Sequence, residues 1–302
     1  MSSNGTGGAV VITGASTGIG QACALRLDRL GMRVFAGVRR EIDAERLRGA
    51  ASARLTPLMI DVTDTESIRS AAAIVEAETA GTGLAGLVNN AGIAIAGPLE
   101  YMPIDQLRRQ LDVNLVGHVA VTQAFLPMLR RARGRIVNIG SIGGRMATPL
   151  MGPYNASKFA MEAITDSLRG ELRPWRMSVS IVEPGAIATP LWERGTAIAD
   201  EMERDLPPEG RQRYGRAIAA VRQAAEKMAS AAIPPDEVAK AVAHALLSRH
   251  PKTRYVVGRD ARVQAVLAKV VPDRLQDRLK ERIMGLPTEA PEAEPAEMSE
   301  VR

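Results

Sequence analysis

The sequence predicts an α/β fold: one doubly wound parallel sheet of seven strands with helices on both faces. Three observations predict it. Seven short apolar runs lie between residues 8 and 258, and longer stretches of helical period separate them. No internal repeat or interior linker interrupts the series, so one domain is expected. Strands joined through helices pair in parallel and need cover on both faces. Ligands of such a sheet lie beyond the carboxyl ends of its strands.

The elements follow in order. GAVVITG (8–14) reads as a buried strand. Segment 19–31 repeats its apolar residues near 3.6 and stops at Gly31, as a helix does. RVFAGV (33–38), LTPLMIDV (55–62) and GLAGLVNNAG (83–92) supply strands two to four, with a helix opening after Asp64. One long helix is expected over about 104–131, then a fifth strand at 134–141. The helix holding Tyr154 and Lys158 runs to about 173, before Pro174. Strands six and seven fall at 177–185 and 253–258, and the long stretch 190–232 between them is expected to form a lid. Residues 1–7 read as a flexible N-terminus, 8–285 as the folded domain, and 286–302 as a disordered Pro/Glu/Ala-rich tail.

Of 302 residues, 46% are hydrophobic and 24% charged, a balance ordinary for soluble chains. No apolar run approaches the ~20 residues of a spanning helix, and the first residues lack the pattern of a secretory signal. Cys23 is the only cysteine, which excludes an internal disulfide. It is expected as a small buried hydrophobe in a reducing, cytoplasmic setting. The net charge of +5 hides an acidic tail with five glutamates and one arginine. The remaining positive charge is dispersed over helices and lacks interleaved aromatics, which argues against nucleic-acid binding. His118, His244 and His250 have no metal-ligand spacing, so no metal is expected and they are assigned to packing or surface.

The first strand runs into TGASTGIG, with Gly14, Gly18 and Gly20 bracketing Ser16, Thr17 and Ile19. Glycines between a strand and a helix N-terminus let backbone N–H groups approach a pyrophosphate. This context makes the sheet Rossmann-type and the turn a dinucleotide site. An acid after the second strand would bond the ribose 2′-hydroxyl of NAD. Val38 occupies that position, followed by Arg39 and Arg40, which favours NADP(H) and leaves NAD(H) open. Asp61, followed by Val62, is placed either at the adenine edge or as a cap for the next helix.

Tyr154 and Lys158 lie one helical turn apart and share a face. A phenol titrates near ~10 and is a poor acid–base at neutral pH. A neighbouring ammonium is expected to lower that value, tuning Tyr154 to exchange a proton with a carbonyl or alcohol oxygen. Ser141, at a strand's carboxyl end, can hydrogen-bond the same oxygen.

TGASTGIG, NNAG (89–92), Asn114 in DVNLVG, Ser141 in IVNIGS, YNASK (154–158) and PGAIAT (184–189) together resemble the motifs of the short-chain dehydrogenase/reductase family. The resemblance covers about 8–260, in the family's order and spacing. It implies an oxidoreductase with Asn114, Ser141, Tyr154 and Lys158 as catalytic residues. It also implies that Lys158 holds the nicotinamide ribose and that Asn114 anchors a water of a proton relay. Asn89, Ala91 and Gly92 would line the adenosine side. Pro184, Gly185, Ile187 and Thr189 would hold the carboxamide and pyrophosphate. Gly140 departs from the pattern, where many relatives carry a second serine. A homodimer or homotetramer through helices 104–131 and 152–173 is implied as well.

Ile93, Ile95, Ile142, Met146, Leu150, Leu191 and Trp192 are candidate pocket residues and suggest a hydrophobic alcohol or ketone. VFAGVRR and the segment from Lys252 to Leu275 look similar to the retinol- and hydroxysteroid-dehydrogenase-like branch. A 3-oxoacyl-thioester reductase and a non-catalytic dinucleotide sensor stand as alternatives. Segment 262–284 reads as one amphipathic stretch with apolar Val263, Val266, Leu267, Val270, Leu275, Leu279 and Ile283. It suits an anionic membrane surface, or a packed face on its own domain or a neighbouring subunit, the packed reading being preferred.

Overall fold

The computed structural model describes residues 7–289. The segments expected as a flexible start and a disordered tail lie outside the described residues, except Gly7 and 286–289. β1 (Ala9–Ile12), α1 (Gly18–Arg29), β2 (Arg33–Val38), α2 (Glu41–Ala50), β3 (Leu55–Met59), α3 (Thr65–Thr79) and β4 (Gly86–Asn89) make the first half. Then α4 (Ile104–Leu111) leads through a π-helical segment (Asp112–Val116) into α5 (Gly117–Ala132) and β5 (Arg135–Ile139). After α6 (Gly152–Glu171) and β6 (Ser178–Pro184), the stretch expected as a lid forms α7 (Leu191–Asp205) and α8 (Pro208–Ser230). α9 (Pro235–Leu247), β7 (Arg254–Val257), α10 (Arg259–Val270) and α11 (Asp273–Met284) complete the described chain.

All pairings are parallel and the strand order is β3-β2-β1-β4-β5-β6-β7. The order reverses between β1 and β4, which opens a crevice at their carboxyl ends. The two-residue side-chain period of the strands divides the core. Val10 and Ile12 of β1 join Cys23, Leu27, Val238 and Val242 under α1 and α9. Ala9 and Val11 join Val75, Val121, Phe125 and Leu129 under α3 and α5. Burial of each large aliphatic side chain contributes about 1.5–3 kcal/mol, so both helical layers are held by the central strands.

Two expectations are corrected. The helix expected over 104–131 carries the π segment in its middle. Asn114 lies there fully buried, and the extra residue turns its amide inward. Segment 262–284 is two helices, since Pro272 ends the first and precedes the second. Most of its apolar residues are not packed on the domain: Val266 is 60% and Ile283 72% exposed, while Leu267 is half-buried.

Candidate active site

The glycine turn has the backbone its sequence demands. Gly14 and Gly18 adopt φ of 65° and 59°, left-handed values that favour glycine. A Cβ on Gly14 would stand 2.7 Å from Ala91 Cα, and one on Gly20 would collide with the Gly14 carbonyl. Thr17 precedes α1 without a side-chain capping bond, so it leaves the first N–H groups of that helix to another acceptor. Ser16, Thr17 and Ile19 are half-buried on its rim. This cradle fits a dinucleotide pyrophosphate. Asn90 holds it from behind, its Nδ2 donating to the carbonyls of Thr13 (2.9 Å) and Gly14 (3.0 Å). Thr13 Oγ1 in turn accepts from the N–H groups of Asn90 and Ala91. Sequence reasoning passed over Asn90 although it lies within the quoted NNAG.

The neighbouring Asn89 does not line the groove with its side chain. Its Nδ2 donates to Thr122 Oγ1 and Asn138 Oδ1, both at 2.9 Å, and Asn138 donates onward to Thr165 Oγ1 at 2.8 Å. It therefore knits β4 and β5 to α5 and α6. Ala91 and Gly92 remain at the surface of the crevice.

Beyond β2, Arg40 turns to Asp43, with Nε and Nη2 at 2.7 and 3.0 Å from its two carboxylate oxygens. A guanidinium engaged in that fork is less available for a phosphate than was expected. Arg39 is the freer of the two, with Nη1 3.9 Å from Asp61 Oδ2. Burial works to raise the Asp61 carboxyl, but the N–H and hydroxyl of Thr63 and the Arg39 charge outweigh it and hold it low. Asp61 does not cap the next helix; Asp64 does, accepting from Glu66 N at 2.9 Å. Val62 is buried.

α6 brings Tyr154 and Lys158 to one face, with Lys158 Nζ 5.7 Å from the centre of the phenol ring. Nζ donates to the Ile139 carbonyl at the end of β5 (2.9 Å). Burial lowers the Lys158 ammonium to about 8, with Glu162 pulling it up. Tyr154 departs from the expected lowering. Burial raises its phenol, the Ser141 hydroxyl pulling the other way, because desolvation of a phenolate dominates here. Tyr154 is therefore held protonated at neutral pH. Ser141 Oγ also accepts from Gly143 N (3.0 Å), which fixes its side chain at the carboxyl end of β5.

Asn114 approaches from the π segment. Its Oδ1 accepts from Ile93 N (2.9 Å), while Nδ2 donates to Ile93 O (3.0 Å) and Ser157 Oγ (3.1 Å). Its side chain thus clamps the loop after β4 onto α6. Glu162, one turn beyond Lys158, was not anticipated. Burial and then the facing Glu183 push it up to about 7, while Arg254 pairs with both carboxyls. His118 is a packing residue, buried with Nε2 2.6 Å from the Ala91 carbonyl.

The loop after β6 closes over the cradle. Pro184 and Ile187 are buried, and the side chain of Thr189 lies against Gly18. Gly185 abuts the Asp260 carboxylate, which accepts from Ala186 N at 2.9 Å. Trp192 Nε1 donates to the Ile187 carbonyl (2.7 Å) and anchors the start of α7. Among the expected pocket residues, Ile93, Met146, Leu150, Leu191 and Trp192 are half-buried, Ile142 is buried, and Ile95 belongs to the core instead. Leu150 holds φ of 64°, an uncommon conformation for a branched side chain.

Sheet order, cradle and the α6 pair together define a Rossmann-type oxidoreductase. A family model described as short chain dehydrogenase matches residues 8–198. Retinol dehydrogenase 5 of Mus musculus is 39% identical over 287 residues, 93% of this chain and 90% of that protein. The 17-beta-hydroxysteroid dehydrogenase type 6 of Bos taurus is 38% identical over 286 residues, with the same two coverages. A short chain dehydrogenase from Burkholderia cenocepacia in complex with NADP superposes with a TM-score of 0.69 at 29% identity, over 91% of this chain and 98% of that one. The chain belongs to the short-chain dehydrogenase/reductase family, in its retinol and hydroxysteroid dehydrogenase branch, and is an oxidoreductase acting on alcohol or carbonyl groups.

Proposed function

We propose that this enzyme uses NADP(H) to interconvert a hydrophobic ketone or aldehyde and its alcohol, with Tyr154 as the acid–base. The observation that carries this reading is the half-buried phenol of Tyr154, with the Ser141 hydroxyl facing it and Lys158 one turn away on the same face. When bound, the reduced dinucleotide supplies the hydride. Tyr154 gives its proton to the carbonyl oxygen, and Ser141 donates a hydrogen bond to the same atom. The Lys158 ammonium, one turn away on the same face, favours the phenolate left behind. Asn114 acts by holding the Ile93 loop against α6.

The apolar rim of Ile93, Met146, Leu150, Leu191 and Trp192 supports a lipid-like substrate, in keeping with the names of the relatives. Arg39 supports NADP(H), since no acid follows β2 before Glu41. The outward apolar residues of α10 and α11, flanked by Arg262, Lys269, Arg274, Arg278 and Arg282, support contact with an anionic membrane surface beside the lid. Oxidation of NADPH with a panel of retinoid, steroid and small polar carbonyls tests the substrate class. Turnover confined to the polar compounds would reject it. Arg39→Ala is expected to raise the KM for NADPH by about 10-fold or more and leave that for NADH nearly unchanged.

A further inference from the structure

At the amino ends of β5 and β6, opposite the crevice, Arg130, Arg133, Pro174, Trp175 and Arg176 line an open cavity of about 340 Å³. Arg130 stacks on the Trp175 ring, its guanidinium carbon 4.6 Å from the centroid, which fixes the fork while its edge stays free. Among the described residues, none of the side chains of Arg130, Arg133 and Arg176 makes a hydrogen bond or ion pair. By contrast Arg131, beside them in sequence, is tied to Glu76.

The backbone adds a second observation. Arg133 ends α5 at φ of 49°, and Arg176 follows the short 3-10 turn Arg173–Trp175 at φ of 55°. Both stand at left-handed capping positions where glycine fits without strain. Two separate loops thus carry an arginine where backbone geometry favours glycine, and both side chains line the same cavity. Both turns place their arginine on the wall of one space.

We propose that this cavity binds a phosphate group, with Arg133 and Arg176 as its principal ligands and Arg130 fixed on Trp175 as the third. Guanidinium forks match phosphate oxygens two at a time, and three unpaired ones can take a dianion. The site is separate from the nucleotide cradle, which lies at the carboxyl ends of the strands. The phosphate can come from a free metabolite or from a lipid headgroup.

The test is calorimetric titration of pyrophosphate into the full chain saturated with NADPH, so that the cradle is already filled. The expected result is saturable binding with a Kd on the order of 1 mM or tighter. It should weaken roughly tenfold or more in the double variant Arg133→Gly, Arg176→Gly. That variant should melt no lower than the wild type, since glycine relieves both left-handed positions, so loss of binding cannot be laid to unfolding. Sedimentation with phosphatidylcholine vesicles with and without phosphatidic acid separates the sources. Sedimentation with the acidic vesicles that the double variant loses assigns a lipid headgroup, and pyrophosphate binding without it assigns a free ligand. No saturable heat together with no variant-sensitive sedimentation, or equal binding by the double variant, overturns the proposal.

Discussion

Tyr154 and Lys158 illustrate how burial decides chemistry at the level of single residues. Spacing alone suggested an ammonium that lowers a phenol, but desolvation acts on both groups, raising the phenol and lowering the ammonium to about 8. His118 is governed by the same force. Burial and then the Lys158 charge lower it to about 4, against the weaker pull of the Ala91 carbonyl. Between its folded value and the unfolded value of 6.5, the unfolded chain binds more protons. Stability contributed here is therefore full above pH 6.5 and lost as pH falls towards 4, by about 3 kcal/mol. Urea unfolding across that window should give a shallower acid slope for His118→Asn than for the wild type; equal slopes would remove His118 as the cause. The bonding of Asn89 escaped because its two partners, Thr122 and Asn138, come from elements 33 and 49 residues away, a facing that local sequence does not encode.

The elements were read well where the signal is local and poorly where it is not. Strands and the glycine turn follow from contiguous apolar runs and from glycines whose φ the turn requires. The π segment escaped because one extra residue leaves the helical pattern of 104–132 almost unchanged. Asn114→Ala should leave Ile93 N without a partner, while Ile93 O keeps Gln110 Nε2 and Ser157 Oγ keeps the Tyr154 carbonyl. It should cost about 1–3 kcal/mol, read as a lower urea midpoint at unchanged slope. Pro272 signalled the break between α10 and α11, yet only packing could reveal that their apolar residues face outward. If that face meets a membrane, Leu275→Glu with Leu279→Glu should weaken sedimentation with anionic vesicles and leave turnover of a water-soluble substrate intact. Unchanged sedimentation would leave the face to a neighbouring subunit.

At the scale of the molecule, the parallel sheet places every candidate catalytic group at one end, beyond β1, β4, β5 and β6. That placement was legible because parallel strands joined through helices fix which end holds the ligand. The upward shift of the Tyr154 phenol was not, since it depends on how far α6 is covered. The central claim is that Tyr154 supplies the proton while the rest of the fold holds the coenzyme. It is tested by measuring NADPH binding by fluorescence, and NADPH-driven reduction of a hydrophobic ketone, for the wild type and Tyr154→Phe. The account predicts binding within about twofold and turnover reduced roughly 10³-fold; a variant that binds NADPH and reduces the ketone at the wild-type rate would contradict it.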